Sequence, residues 1–251
     1  MQLTNTIFFI LLSVLFSCSN ESLTDEPQSK PLANKIEEKT TKKELEHNDS
    51  KELISKAELT IPEGYLLHNK IEGDLNEDGI DDVVLMIKGT DSANVVMNRF
   101  DDEVDRNRRG LLIYLSQQNN YFLAIENLNC FYSENEDGGV YFPPVLSISI
   151  KNNKLYFDYT HGRYGYWQYT FRYQALDFAL IGYDASENYG PIVQKVTSIN
   201  FLTKRKLTRD NLNKDNEASG DENFKDTWEN IDIQKLYKLS EIKDFEELDV
   251  H

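Results

Sequence analysis

The sequence predicts a mainly β protein whose folded part is an antiparallel, sandwich- or barrel-like domain. Three observations carry that expectation. Short runs of apolar and β-branched residues recur from Leu59 onward, separated by turn-forming residues. Leu146-Ser147-Ile148-Ser149-Ile150 alternates with the period of a strand that buries one face. No long segment repeats its apolar residues at the helical period. An aromatic content of 12% supplies material for a core and is too high for a wholly disordered acidic chain.

The chain opens on an address. Ile7 to Phe16 is apolar apart from Ser13 and too short for a membrane-spanning anchor. It ends in Leu15-Phe16-Ser17-Cys18, a small residue directly before a cysteine, so residues 1–17 read as a signal peptide. The segment resembles the bacterial lipobox, which implies that Cys18 is lipidated and becomes the first residue of the mature protein. Met1 to Thr6 departs from the usual pattern by carrying no Lys or Arg. A cleaved signal with an incidental cysteine is the alternative. Ser19, rather than Asp, after the cysteine resembles lipoproteins sorted to the outer membrane. The expected location is therefore the bacterial cell envelope, lipid-anchored.

Residues 18–57 are polar, contain Pro27 and Pro31, and lack Phe, Tyr and Trp. Such a stretch buries too little apolar surface to offset its ordering entropy and reads as a flexible tether. Leu53, Ile54 and Ala57 have weak helical spacing and predict a short helix leading into a β domain over 58–251.

Within that domain the strand-like runs are Tyr65–Lys70, Val83–Ile87, Leu111–Leu115, Tyr121–Ile125, Val145–Ile150, Leu155–Tyr159, Tyr166–Tyr173, Phe178–Ile181 and Val196–Leu202. Asn152-Asn153 predicts a hairpin, since Asn tolerates positive φ. Cys130 sits in a strand-like context and reads as a buried small hydrophobe. Thr208–Asp226 is polar and reads as a mobile loop. Trp228, Ile231, Ile233, Leu236 and Leu239 then return the chain to the core, and the acidic tail from Glu241 is expected to cover an edge.

Charge narrows the function classes. With 43 acidic against 27 basic side chains the net charge is −16, which opposes binding to nucleic acid. Four histidines and two cysteines leave little for thiol or imidazole chemistry. Arg106, Arg108 and Arg109 close an acid-rich run from Asp101 that reads as solvated and self-paired.

One motif is sharp. Asp74, Asn76, Asp78 and Asp82 offer side-chain oxygens, and Ile80 its carbonyl, at the spacing of a Ca²⁺ loop, with Gly79 allowing the turn. Leu85 occupies the position of the bidentate Glu of a helix–loop–helix site, and Val83–Ile87 is a strand run. Gly73–Ile87 resembles the calcium-binding stretch of FG-GAP/VCBS repeats, which implies a strand–loop–strand Ca²⁺ site. The single copy argues against a propeller. An Asp/Asn/Gly turn without metal is the other reading.

The segment His161–Tyr173 is the densest in aromatics. Extended, it sends Trp167, Tyr169, Phe171 and Tyr173 to one face, read as core. His161, Arg163, Tyr164 and Tyr166 cluster at its loop end with glycines, a composition suited to stacking on a sugar or gripping a peptide. The loop Glu134–Pro144 is a second candidate lining for that surface.

No nucleophile elbow, metalloprotease motif or phosphate loop occurs, so no catalytic residue is assigned. As a whole the chain resembles uncharacterised lipoproteins of Bacteroidetes-type bacteria, a likeness that implies an anchored envelope protein and no particular activity. The expectation is a calcium-stabilised, non-catalytic module that binds a polysaccharide or protein. An envelope-assembly protein, an enzyme inhibitor and a carboxylate-dependent hydrolase are the alternatives.

Overall fold

The structure is a computed structural model that describes residues 52–138, 142–214 and 220–250. The signal peptide, Cys18 and the tether as far as residue 51 lie outside them. No helix among the described residues is long and apolar enough to cross a membrane.

The domain is built almost wholly from antiparallel strands. In order they are β1 (Tyr65–Gly73), β2 (Asp82–Gly89), β3 (Val95–Met97), β4 (Glu103–Asp105), β5 (Arg109–Gln117), β6 (Asn120–Phe131), β7 (Val145–Lys151), β8 (Lys154–Thr160), β9 (Gly165–Gln174), β10 (Asp177–Tyr189), β11 (Ile192–Asn200), β12 (Arg205–Asn211) and β13 (Phe224–Asn230). One sheet has the order β1-β2-β5-β6, and β3-β4 is a short hairpin set into its β2–β5 connection. The other is a meander in which β7 to β13 lie side by side in chain order. Its tight turns use the residues that tolerate them: Asn152 and Asn153, at φ 49° and 57°, join β7 to β8.

The two sheets pack face to face. Val84 and Met86 of β2 and Leu111, Ile113 and Leu115 of β5 meet Leu155 and Phe157 of β8, Phe171 of β9 and Leu180 of β10. All are buried, each worth about 1.5–3 kcal/mol by removal from water. The other face of the smaller sheet is also covered. Val83, Leu85, Ile87, Leu112 and Tyr114 pack beneath Ile54, Leu59 and Ile61. That second cover explains why β2 is buried at seven successive positions instead of alternating. Ile54, inside the segment read as tether, exchanges backbone hydrogen bonds with Tyr121 at 2.7 and 2.8 Å. The predicted entry helix is a single 3₁₀ turn, Lys56–Glu58.

Two expectations are overturned. Thr208–Asp226 is not one loop: its ends belong to the β12–β13 hairpin. This pair is held by polar and cation–ring contacts, which leave no apolar alternation to read. Arg209 Nε donates to Asp226 at 2.9 Å, and the guanidinium of Arg205 lies 4.5 Å from the centre of the Trp228 ring. Trp228 is consequently exposed on β13 and not in the core.

The acidic tail, expected to cover an edge, instead enters the core. Leu239, Ile242, Phe245 and Val250 are buried between the sheets. A four-stranded sheet cannot cover a seven-stranded one, and the C-terminal segment fills part of the difference. Phe245 stacks on Phe131 at 4.8 Å and meets Phe157 and Tyr169 edge-on, each at 5.2 Å. Its backbone N–H donates to the Cys130 carbonyl at 3.0 Å, and Asn127 Nδ2 donates to the carbonyls of Leu239 and Ile242 at 2.9 and 2.6 Å. Cys130 is fully buried, and burial pushes its thiol pKa far up, so it is packing material.

Candidate functional site

The β1–β2 loop adopts a wound turn, with Gly79 at φ +82°, a conformation that L side chains rarely take. Asp74 accepts from the backbone N–H groups of Glu77 and Gly79 at 2.7 and 3.0 Å, Asn76 from Asp78 at 3.0 Å, and Asp78 from Ile80 at 2.8 Å. Asp78 also accepts from the Ser116 hydroxyl at 2.6 Å and from the Asn76 amide at 3.1 Å. Asp82 has a separate job. Fully buried, it accepts from the backbone N–H groups of Leu75, Asn76 and Ser116 at 2.7, 3.2 and 2.7 Å, tying the loop to β5. Burial raises its pKa against the pull of those hydrogen bonds. Among the described residues no three His, Cys, Asp or Glu side chains converge on a metal position. Asp74, Asn76, Asp78 and the Ile80 carbonyl are the predicted oxygen donors that remain on the loop, half-buried or exposed, while Asp82 is turned inward.

The loop end of β9 places its rings outward. A 3₁₀ turn, Gly162–Tyr164, precedes the strand, and His161 Nε2 lies 3.1 Å from the Phe142 carbonyl oxygen. The His161 and Tyr164 rings sit 4.9 Å apart, while Tyr164, Tyr166 and Phe142 are exposed. Arg163 is exposed beside them. Phe142 of the Glu134–Pro144 loop thus touches the turn that precedes β9. Asp158 and Gln168 are hydrogen-bonded cross-strand partners.

A deeper site lies where the sandwich opens next to this turn. Its cavity, about 430 Å³, is within the range of small-molecule pockets. Tyr159, Trp167, Tyr169 and Tyr183 form one wall, and Phe245 and Leu248 of the C-terminal segment another. Pro143 and Pro144 border it, and Arg109, Glu136 and Glu246 supply charge. Tyr159 and Trp167 stack nearly parallel, with ring centres 5.0 Å apart and planes at 10°.

Arg109 reaches the cavity because β2 and β5 continue their inward alternation past the apolar core. After Val84 and Met86 comes Lys88, and before Leu111 comes Arg109, its cross-strand partner. Both cations are thereby placed inside, with side-chain exposures of 6% and 5%. Gly110 lies in an irregularity of β5–β6 pairing, where a Cβ would stand 2.1 Å from the Leu128 carbonyl oxygen. Glu134 and Asp105 share the balancing of this pair of cations: Lys88 Nζ lies 2.6 Å from Glu134 and 2.9 Å from Asp105, while Glu134 stands 3.8 Å from Arg109 Nε. Arg109 Nε donates to the Tyr132 carbonyl at 2.8 Å. Its terminal nitrogens make no hydrogen bond to a described residue. Burial pulls its pKa down, opposed by Glu134. The Tyr159 hydroxyl, also buried, has no protein hydrogen-bond partner among the described residues. By contrast, the Tyr169 hydroxyl donates to the Phe245 carbonyl at 3.3 Å.

Glu246 is exposed as a residue, yet partial burial of its carboxyl, joined by the nearby Asp244 carboxylate, pushes its pKa up to about 7. Asp244 in turn accepts from Arg108 at 3.0 Å. The arginine run is thus not self-paired and solvated. Arg108 ties β5's approach to the tail, and Arg109 lines the cavity. The missed signal was parity: extending the inward face of Leu115-Ile113-Leu111 by one step lands on Arg109.

No family model, no characterised protein and no solved structure matches the chain.

Proposed function

We propose that the protein is an envelope lipoprotein, anchored through Cys18 in the outer membrane, whose β domain is a non-catalytic module that binds a saccharide or a protein segment. The observation that supports binding is the cavity beside the exposed rings of Phe142, Tyr164 and Tyr166. An aromatic wall, a few convergent polar groups and an open mouth are what a ligand site needs. Nucleic acid is not the partner on this reading, because the net charge of −16 repels it.

The test is retardation of the protein in gels cast with a panel of polysaccharides, paired with capture on immobilised envelope extracts followed by identification of the bound species. Trp167→Ala and Tyr166→Ala should each abolish a specific interaction seen with the native chain. Equal behaviour of native and variant chains across the panel would remove the reading. Replacing Cys18 with Ser should release the protein from membrane fractions, and unchanged partitioning would refute the anchor.

Calcium belongs to the same proposal as a structural ion held by Asp74, Asn76, Asp78 and the Ile80 carbonyl. Bound there, it would neutralise two carboxylates that otherwise repel each other across the turn. Thermal melting with calcium or EGTA checks it: calcium should raise the melting temperature, and no shift together with no heat of binding at millimolar calcium rejects it.

A carboxylate-dependent hydrolase is the second reading, favoured by Glu246, whose raised pKa beside Glu136 in one cavity is a pattern of acid catalysts. The neighbouring Asp244 carboxylate accounts for part of that shift without catalysis. Turnover of glycosides that is lost in Glu246→Gln would establish the enzyme; its absence leaves the binding module.

A further inference from the structure

We propose that the cavity recognises a single carboxylate carried on a ring, with the Arg109 guanidinium and the Tyr159 hydroxyl meeting the carboxylate and the wall of Trp167, Tyr169 and Tyr183 receiving the ring. This rests on the cavity being the binding site proposed above and adds the chemistry of its ligand.

Two donors carry the inference. Arg109 is held in place by the bond from Nε to the Tyr132 carbonyl, which fixes the plane of the guanidinium and leaves its terminal N–H groups without an acceptor among the described residues. A buried guanidinium is stable only if its remaining donors are met, and a planar carboxylate matches that fork with two parallel hydrogen bonds. Glu134 lies near Nε but is engaged by Lys88, so it balances charge without filling the fork. The Tyr159 hydroxyl is the second donor. It is buried, lines the same cavity and lacks a protein partner among the described residues. A buried hydroxyl left unpaired in the free protein opposes folding, and keeping it there makes physical sense where a ligand acceptor arrives.

The flanking groups limit the ligand's charge. Glu136 and Glu246 border the cavity, so a phosphate dianion or a polyanion meets repulsion there, as it does from the chain as a whole. A single carboxylate meets the least of this repulsion and still matches the fork of Arg109. The ring follows from the wall. The Tyr159–Trp167 stack and the two further tyrosines present π faces on which the flat face of a sugar or an aromatic ring can lie. A sugar acid and an aromatic acid share this chemistry, and binding measurements separate them.

The experiment is calorimetric titration of the full chain with glucuronate and phenylacetate, each against its neutral counterpart, glucose and 2-phenylethanol. Trp167 fluorescence is followed in parallel in a Trp228→Phe background, which leaves one tryptophan. At least one acid should bind about tenfold or more tighter than its neutral counterpart, the loss of a hydrogen bond to a charged group being of that size. Arg109→Gln should erase the preference. Because Arg109 is buried, Tyr159→Phe provides the second arm. It should weaken the acid about five- to tenfold and leave the neutral compound unchanged, with a melting temperature no lower than native. Neutral compounds that bind as well as the acids, unaffected by either substitution, overturn the carboxylate assignment while leaving the cavity a binding site. Acids and neutral compounds that all fail to bind at millimolar concentration overturn both.

Discussion

Replacing Tyr159 by Phe removes one oxygen atom and should make the domain more stable. The ring would keep its stack on Trp167 at 5.0 Å and its edge contact with Tyr169 at 6.3 Å, so packing is conserved. What disappears is a buried hydroxyl with no protein hydrogen-bond partner among the described residues. Leaving such a group unsatisfied costs about 1–3 kcal/mol. Tyr159 lines the cavity with the rest of its ring, and the lower part of that range, about 1–2 kcal/mol, is expected. For a domain of this size that is a rise of roughly 3–6 °C in melting temperature. Tyr169→Phe is the internal control. There the same atom is removed from a hydroxyl that donates to the Phe245 carbonyl at 3.3 Å. The substitution leaves that carbonyl short of a partner and should destabilise by about 1 kcal/mol. Calorimetric melts of both variants, with urea midpoints to confirm an unchanged slope, decide the matter. If Tyr159→Phe lowers the melting temperature as Tyr169→Phe does, the Tyr159 hydroxyl has a partner in the free protein and the reasoning fails.

Asp82→Ala should cost about 3 kcal/mol or more, because it strands the N–H groups of Leu75, Asn76 and Ser116, and the loss should persist in excess calcium; a change below about 1 kcal/mol in urea titration would contradict it. Phe245→Ala opens a cavity among Phe131, Phe157 and Tyr169 and should cost about 3–5 kcal/mol, read as a fall in the denaturation midpoint. Glu246 gives a pH signature. Its folded pKa, about 7, lies above the ordinary 4.5, so the folded state holds the proton more tightly. Its contribution is fully favourable below about 4.5 and is lost as pH rises toward 7. Glu246→Gln should flatten the stability profile over that interval, and an unchanged slope would show that another group titrates there.

How much was legible follows from what each element uses to hold itself. Strands that alternate, such as Val145–Lys151, announce themselves because one face must leave water. The run Val83–Ile87 was legible for the opposite reason, since cover on both faces makes it apolar throughout. β12 and β13 were not legible: Arg209–Asp226 and Arg205–Trp228 are cross-strand pairings, and neither partner names the other from its own neighbourhood. Phe245 was hidden by Asp244, Glu246 and Glu247 around it, which make its segment look solvated although its ring is buried. At the site, the exposed Tyr164 and Tyr166 could be read from a glycine-rich aromatic turn. The cavity could not, because its wall comes from β8, β9, β10 and a tail far along the chain, and only packing brings them together.

The placement of Phe245 sets an order on how this protein can mature. β7 to β13 pair with sequence neighbours and can form as successive hairpins, each closing a short loop. The space between the sheets stays open until Leu239, Ile242 and Phe245 arrive, and these follow β13 in the chain. A chain still being synthesised therefore exposes the rings of Phe131, Phe157 and Phe171. That is an aggregation hazard for the nascent chain, and a state that a transport machinery needing unfolded polypeptide could still accept. Closure of the core therefore waits for a segment that follows β13. A chain cut between β13 and Leu239 would keep β1 to β13 and still lack the piece that locks the sheets together.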